Sequence, residues 1–294
     1  MKLIAITTTL WLALVAPKLP ALSADRVVVV CSCSLHAYQE ALVGIRQTLG
    51  REPEVVNLDA GGAGALRPSA RRDSGKIYIA VGRDALHAAL SEAPKVSVIG
   101  TMMLREDAPN EAVKAVAEID LDVPPRLLLR ELRRLFPRKT RLGILLSRKT
   151  DRAALLAGGS ALGFSVQFRE VSDPADLAKA FLSFKGNADL VLTLPDKALY
   201  NGATVPRLVL ASLESRIPII GFSATFVRAG AAAGIFADFQ EAGRQAAEIA
   251  LRYDPGNPQR TVEQARKLTV AVNQRIFRLL GLEYEPKEGV EVYR

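Results

Sequence analysis

The chain has 294 residues, 49% of them apolar, and carries 39 Lys and Arg against 31 Asp and Glu. That length holds two lobes with their own cores at ordinary domain sizes of roughly 100–150 residues. Two cysteines and two histidines fall short of the ligand set of a structural zinc site, so no metal or other cofactor is expected.

The first 24 residues, MKLIAITTTLWLALVAPKLPALSA, read as a secretory signal peptide. Lys2 gives a positive start, Leu3 to Ala16 are apolar, and the segment ends in small residues suited to cleavage after Ala24 or Ser23. The apolar stretch is short of the about 20 residues a membrane span needs. The expected protein is therefore exported and periplasmic. Export, and the lack of aromatic residues interleaved with the basic ones, argue against nucleic acid as a partner. The basic residues form two groups, Arg67, Arg71, Arg72 and Lys76, then Arg126, Arg130, Arg133, Arg134, Arg138, Lys139 and Arg141. They read as a solvated face, with a docking surface as the alternative.

The first strand runs into a loop and a helix in the stretch VVVVCSCSLHAYQEAL, residues 27–42. Cys31 continues the apolar run and reads as a small buried residue. A bridge to Cys33 is permitted by export, but linking i to i+2 closes a tight ring. His36 falls in the first turn of the helix, where exposure is the ordinary expectation. Further strands are predicted at 77–81, 96–100, 142–146, 166–168, 190–194, 217–222 and 268–272, as near-continuous apolar runs that suit parallel strands buried on both faces. Between them, Tyr38, Ala41, Leu42, Ile45 and Leu49 recur at helical spacing. So do Leu128, Leu132, Leu135 and Phe136 behind Pro124 and Pro125. Leu177, Ala180, Phe181 and Phe184 come after Asp173 as cap and Pro174 at the first helical position. Phe239, Ala242, Ala246, Ile249 and Ala250 make a fourth stripe. The segment GGAGAL at 61–66 lacks the endings of phosphate-binding glycine motifs and reads as a flexible turn. Strand–helix alternation predicts an α/β fold with helices on both sheet faces, and EIDLDVPP at 118–125 marks a lobe boundary.

Catalytic constellations are absent from the sequence: there is no Gly-x-Ser-x-Gly elbow and no His-Glu-x-x-His pair. An enzyme is not expected. Small and polar residues do recur just past strand ends, where open parallel sheets bind ligands and helix N-termini favour anions. These are Ser32 and Ser34, Gly82, Arg83 and Asp84, Ser147, Pro195 and Asp196, and Ser223 and Thr225.

With those positions in view, the chain resembles the substrate-binding proteins of ABC importers with the type I periplasmic-binding fold, in the subfamily that includes aromatic amino-acid binders. The resemblance rests on YQEALVGIRQTLG (38–50), LLLRELRRLFPRKTRLGILLS (127–147), DLVLTLPDKALYN (189–201), IPIIGFSATFVRAGAAAGIFADFQEAGRQAAEIAL (217–251) and LTVAVNQRIFRLLGL (268–282). It implies two Rossmann-like lobes with parallel sheets and a hinge of three crossovers. Lobe 1 would hold 25–119 plus 236–254, and lobe 2 would hold 120–235 plus 265–294. Ligand-lining candidates carried over are Ser32, Ser34, Gly82, Asp84, Ser147, Asp196, Phe222 and Ser223. Ser32 and Ser34 would hold a carboxylate and Asp196 an ammonium, if the ligand is an amino acid. The chain departs from the family's pattern at CSCS and at GTMMLRED (100–107), where relatives usually carry a proline-containing segment. The resemblance implies a monomeric periplasmic receptor that delivers a small organic ligand to an inner-membrane ABC permease. A ligand sensor partnering a receptor kinase or other envelope complex, and a secreted enzyme on the same scaffold, are the alternatives.

Overall fold

Five successive apolar residues, Val27–Cys31, form strand β1, and each is at most 1% exposed. Such a run is stable only inside a sheet covered on both faces, and the structure, a computed structural model, places it there. Residues 24–66, 75–105, 108, 114–146, 152–257, 259–285 and 287–294 are described. Of the segment 1–24 read as a signal peptide, residues 1–23 lie outside them, as do Arg67, Arg71, Arg72 and Ser147.

The first sheet has the order β11-β5-β4-β3-β1-β2, built from β1, β2 (Glu54–Asn57), β3 (Ile77–Val81), β4 (Ser97–Met103), β5 (Ala117–Asp120) and β11 (Thr261–Gln264). All its pairings are parallel. The second has the order β13-β12-β10-β9-β8-β6-β7. Its strands are β6 (Arg141–Leu146), β7 (Ser165–Glu170), β8 (Leu190–Thr193), β9 (Ile219–Gly221), β10 (Ala233–Ala237), β12 (Leu268–Asn273) and β13 (Val290–Tyr293). One pairing, β10 with β12, is antiparallel. The helices are α1 (His36–Leu49), α2 (Arg83–Glu92), α3 (Pro125–Leu135), α4 (Arg152–Ala161), α5 (Leu177–Leu182), α6 (Val205–Ser215), α7 (Ala224–Ala229), α8 (Phe239–Arg252) and α9 (Gln274–Leu279). The predicted α/β architecture of two lobes is the one observed. Strands β2, β5, β10, β11 and β13 are additional to the predicted set; β5 lies at the boundary segment, where the sequence marks no strand.

Side chains alternate across each sheet, as a period of two requires. Val27, Val29 and Cys31 pack with Leu42 and Ile45 of α1 and Ala246 of α8. Val28 and Val30 face the other way, toward Tyr78 and Leu86. In the second lobe Leu142, Ile144 and Leu146 meet Leu128, Leu129 and Leu132 of α3, while Leu145 faces Phe181 and Phe184. Asp173 caps as expected, accepting from the Ala175 N–H at 2.8 Å; the first turn is 3-10 before α5 begins. The GGAGAL segment is no flexible turn: Gly62–Leu66 forms a 3-10 helix because Leu66 is pulled into the core, 0% exposed.

The chain passes between the sheets three times, at 121–124, at Asp238 and at 265–267. These crossovers are tied to neighbouring backbone. The Leu121 N–H donates to the Met103 carbonyl at 2.9 Å, Ala265 N–H to Asp120 at 3.0 Å, and Asp238 N–H to Lys267 at 2.9 Å. Three adjacent crossovers between two sheets are the arrangement of a hinge.

Candidate ligand cleft

The cleft begins with an irregularity in β4. Its register against β5 shifts between Gly100 and Met103, and Met102 is left-handed at φ 63°, a conformation uncommon outside glycine. Bulges of this kind re-aim the residues beyond them. Here Leu104 and Arg105 are delivered to the space between the lobes. The Arg105 N–H donates to Asp122 Oδ2 at 3.1 Å and its Nε to Asp120 Oδ2 at 2.9 Å, while the Asp122 N–H donates to Asp120 Oδ1 at 2.9 Å. Burial first, and then the adjacent Asp120 carboxylate, push the Asp122 carboxyl up to about 6.

The second lobe supplies the opposite wall. Past β8, Asp196 Oδ1 accepts from the N–H groups of Ala198 and Leu199 at 2.9 and 3.1 Å. That turn sets Tyr200 against Phe222 and Phe226, with ring centroids 5.4 and 5.7 Å away. The Tyr200 hydroxyl is buried without a hydrogen-bond partner among the described residues. Burial and the Asp196 charge raise its pKa further above the ordinary phenol value. Thr193, at the end of β8, ties it to β9 by donating to the Ile220 carbonyl at 2.9 Å. The crossover into α8 adds Phe236 and Phe239, 6.1 Å apart. Arg105, Asp122, Thr193, Asp196, Tyr200, Phe222, Phe236 and Phe239, together with Val123, Leu128 and Leu155, line a cleft of ≈ 690 Å³, inside the usual range for small-molecule sites.

Of the strand-end and ligand-lining candidates singled out in the sequence, Pro195, Asp196 and Phe222 line this cleft. Ser32, Ser34, Gly82, Asp84 and Ser223 sit at strand ends but are not among its lining residues. Ser34 N–H donates to Asp59 Oδ2 at 2.8 Å and Cys33 N–H to Asn57 Oδ1 at 3.3 Å, so this turn's donors already face a carboxylate and an amide. Gly82 opens α2 at φ 94°, and a Cβ there would run into the Tyr38 ring. Asp84 lies in the first turn of α2, exposed. Ser223 caps α7, accepting from the Phe226 N–H at 3.2 Å. Arg105, Asp122, Tyr200, Phe236 and Phe239 are lining residues that the strand-end pattern does not reach. The signals of Arg105 and Asp122 in the sequence are GTMMLRED, a departure from the family's pattern, and the two acids of the boundary segment IDLDVPP; Tyr200, Phe236 and Phe239 lie within the stretches 189–201 and 217–251 that carry the resemblance.

The cysteines and the basic group at 126–141 carry two readings that the sequence left open. Cys31 is buried, but it is joined to Cys33 by a disulfide with Cα atoms 5.1 Å apart, a separation that disulfides normally adopt; the turn after β1 brings the pair together. In the basic group at 126–141, Arg126, Arg130, Arg138 and Arg141 are exposed, as a solvated face requires, and several of its charges are also engaged. Arg133 donates to the carbonyls of Leu162 and Lys139 and stacks on Phe164 at 3.8 Å. Arg134 pairs with Glu131 at 2.7 Å and Arg141 with Asp189 at 2.8 Å. His36 is exposed as expected, 3.0 Å from Glu40. No helix among the described residues is long and apolar enough to cross a membrane.

Two α/β lobes, three crossovers and a cleft between them define a two-lobed solute-binding protein of the periplasmic-binding type. The sequence profile described as "ABC transporter substrate binding protein" matches residues 131–292, and the chain belongs to that family. Among solved structures, a ligand-free, open substrate-binding protein with adhesive properties from Clostridium difficile superposes with a TM-score of 0.71 at 15% identity, covering 91% of this chain and 98% of that one. An ABC domain in complex with L-Trp from Streptococcus pneumonia gives 0.56 at 16% identity, covering 91% and 99%. A periplasmic ribose ABC transporter protein from Conexibacter woesei gives 0.56 at 13% identity, covering 90% and 97%. At such identities the likeness is one of fold. No curated protein matches the chain.

Proposed function

We propose that the protein is a periplasmic receptor that closes its lobes on a small organic solute and delivers it to an inner-membrane ABC permease. The observation that carries this reading is the cleft itself, apolar for most of its wall and provided with a few charged groups beside the hinge. It has the chemistry of a site that binds and orients without reacting. Asp196 and Phe222 contact the solute from the second lobe. Ser32, Ser34, Gly82, Asp84 and Ser223 approach it on closure, and affinity comes from stabilising the closed form.

A thermal-shift screen of the chain from residue 25, against amino acids, organic amines, small carboxylates, nucleosides and sugars, tests the reading. A solute at 100 times its Kd stabilises the native state by about 2.7 kcal/mol. A clear shift from one chemical class is the expected result. No shift across the whole panel contradicts a receptor role.

A further inference from the structure

We infer that this cleft selects a solute carrying a positively charged nitrogen on an apolar body, an organic ammonium whose charge is taken by Asp122. The inference rests on the reading of the cleft as the solute site.

Charge balance in the first lobe points to a cation. At the mouth of the first crossover two carboxylates, Asp120 and Asp122, meet one cationic residue: the Arg105 guanidinium Nε donates to Asp120, and only its backbone N–H donates to Asp122. Asp120 is 6% exposed and holds the Arg105 Nε. Asp122, half-buried, receives only backbone donation from Arg105 and lies within hydrogen-bonding reach of Asp120. Buried charges are ordinarily paired; this cluster is one cation short. Among the described residues its neighbours do not fill the gap. Behind it Arg260 is committed to Glu118, and on the opposite wall Asp196 and Lys197 bring one charge of each sign. A cationic solute supplies the missing charge. The same cleft is lined by the aromatic rings of Phe222, Phe236, Phe239 and Tyr200, groups whose faces attract cations. A free carboxylate meets Arg105, already paired with Asp120, and Lys197 on the wall that also carries Asp196; in the first lobe, the N–H groups of Cys33 and Ser34 already face Asn57 and Asp59.

Near-isosteric probes of opposite charge separate the possibilities. Calorimetric titration of the chain from residue 25 with 2-phenylethylamine, 3-phenylpropionate and D-ribose should show the amine binding at least about tenfold more tightly than either other probe. Asp122→Asn, which keeps an acceptor for the Arg105 N–H, should weaken the amine about tenfold or more, with folding checked by circular dichroism. In the wild type the amine should weaken as pH falls through about 6, where the Asp122 carboxylate is lost. Equal or tighter binding of the acid or the sugar overturns the inference while leaving the receptor role intact. So does an amine affinity unchanged in Asp122→Asn, or no amine binding at millimolar concentration.

Discussion

Gly44 of α1 and Gly243 of α8 put these helices in backbone contact: a Cβ on Gly44 would overlap the Gln240 carbonyl, and one on Gly243 the Ala41 carbonyl. Helix α8 enters the first lobe through the second crossover, so this contact anchors the returning chain. Gly243→Val should destabilise by about 1–3 kcal/mol through overpacking. Calorimetry should read this as a Tm lower by roughly 3–10 °C. An unchanged Tm would mean that the helices are not in contact there.

Asp189 fixes the start of β6. Burial raises its carboxyl pKa, but hydrogen bonds from the Arg141 guanidinium and from the N–H groups of Arg141 and Thr140 outweigh this and hold it down to about 2. A lowered folded-state pKa contributes stability that is present above the ordinary value of 3.8 and lost as pH falls toward 2. Asp189→Asn should therefore be less stable than wild type at pH 7, with the gap narrowing below pH 4 in denaturant titrations. A gap that does not change with pH would contradict this account.

Asp122 behaves in the opposite sense. Its carboxyl is raised, so the unliganded protein bears no cost from it below the ordinary value of 3.8 and the full cost above about 6. Asp122→Asn should stabilise the unliganded chain at pH 7.5, and the advantage should vanish below pH 4. A variant less stable than wild type at pH 7.5 would show that Asp122 is already fully paired.

The fold is legible in the sequence because buried parallel strands announce themselves as apolar runs such as VVVVC and IYIAV. The strands that escape are short or mixed in character. Strand β2 reads EVVN with one buried residue, β11 reads TVEQ with none, and Ala233–Ala237 is obscured by the surrounding alanines and glycines. The second-lobe wall is partly visible, since Asp196 and Phe222 come directly after plain strands. Arg105 and Asp122 are not, because their position depends on the bulge at Met102 and on a crossover, which no local periodicity reports. The disulfide is hidden for a similar reason: ring size argues against it, and the turn geometry that brings Cys33 back to Cys31 is not written in the spacing.

The Cys31–Cys33 bridge closes a loop of only three residues, so it removes little unfolded-chain entropy, about 1.6 kcal/mol. Cys33→Ser should leave the protein folded with a loss of that order at most. Intact-mass measurement should show the gain of two hydrogens only after reduction. Alkylation of the native chain without reductant would contradict the bridge.

The central claim, that the cleft between the lobes is where the solute binds, is tested most directly by hydrogen exchange with and without the solute giving the largest thermal shift. Protection is predicted in both lobes and the hinge together, at 104–105, 121–123, 193–200, 222 and 235–239. Protection confined to the outer face of a single lobe, with these segments unchanged, would contradict it.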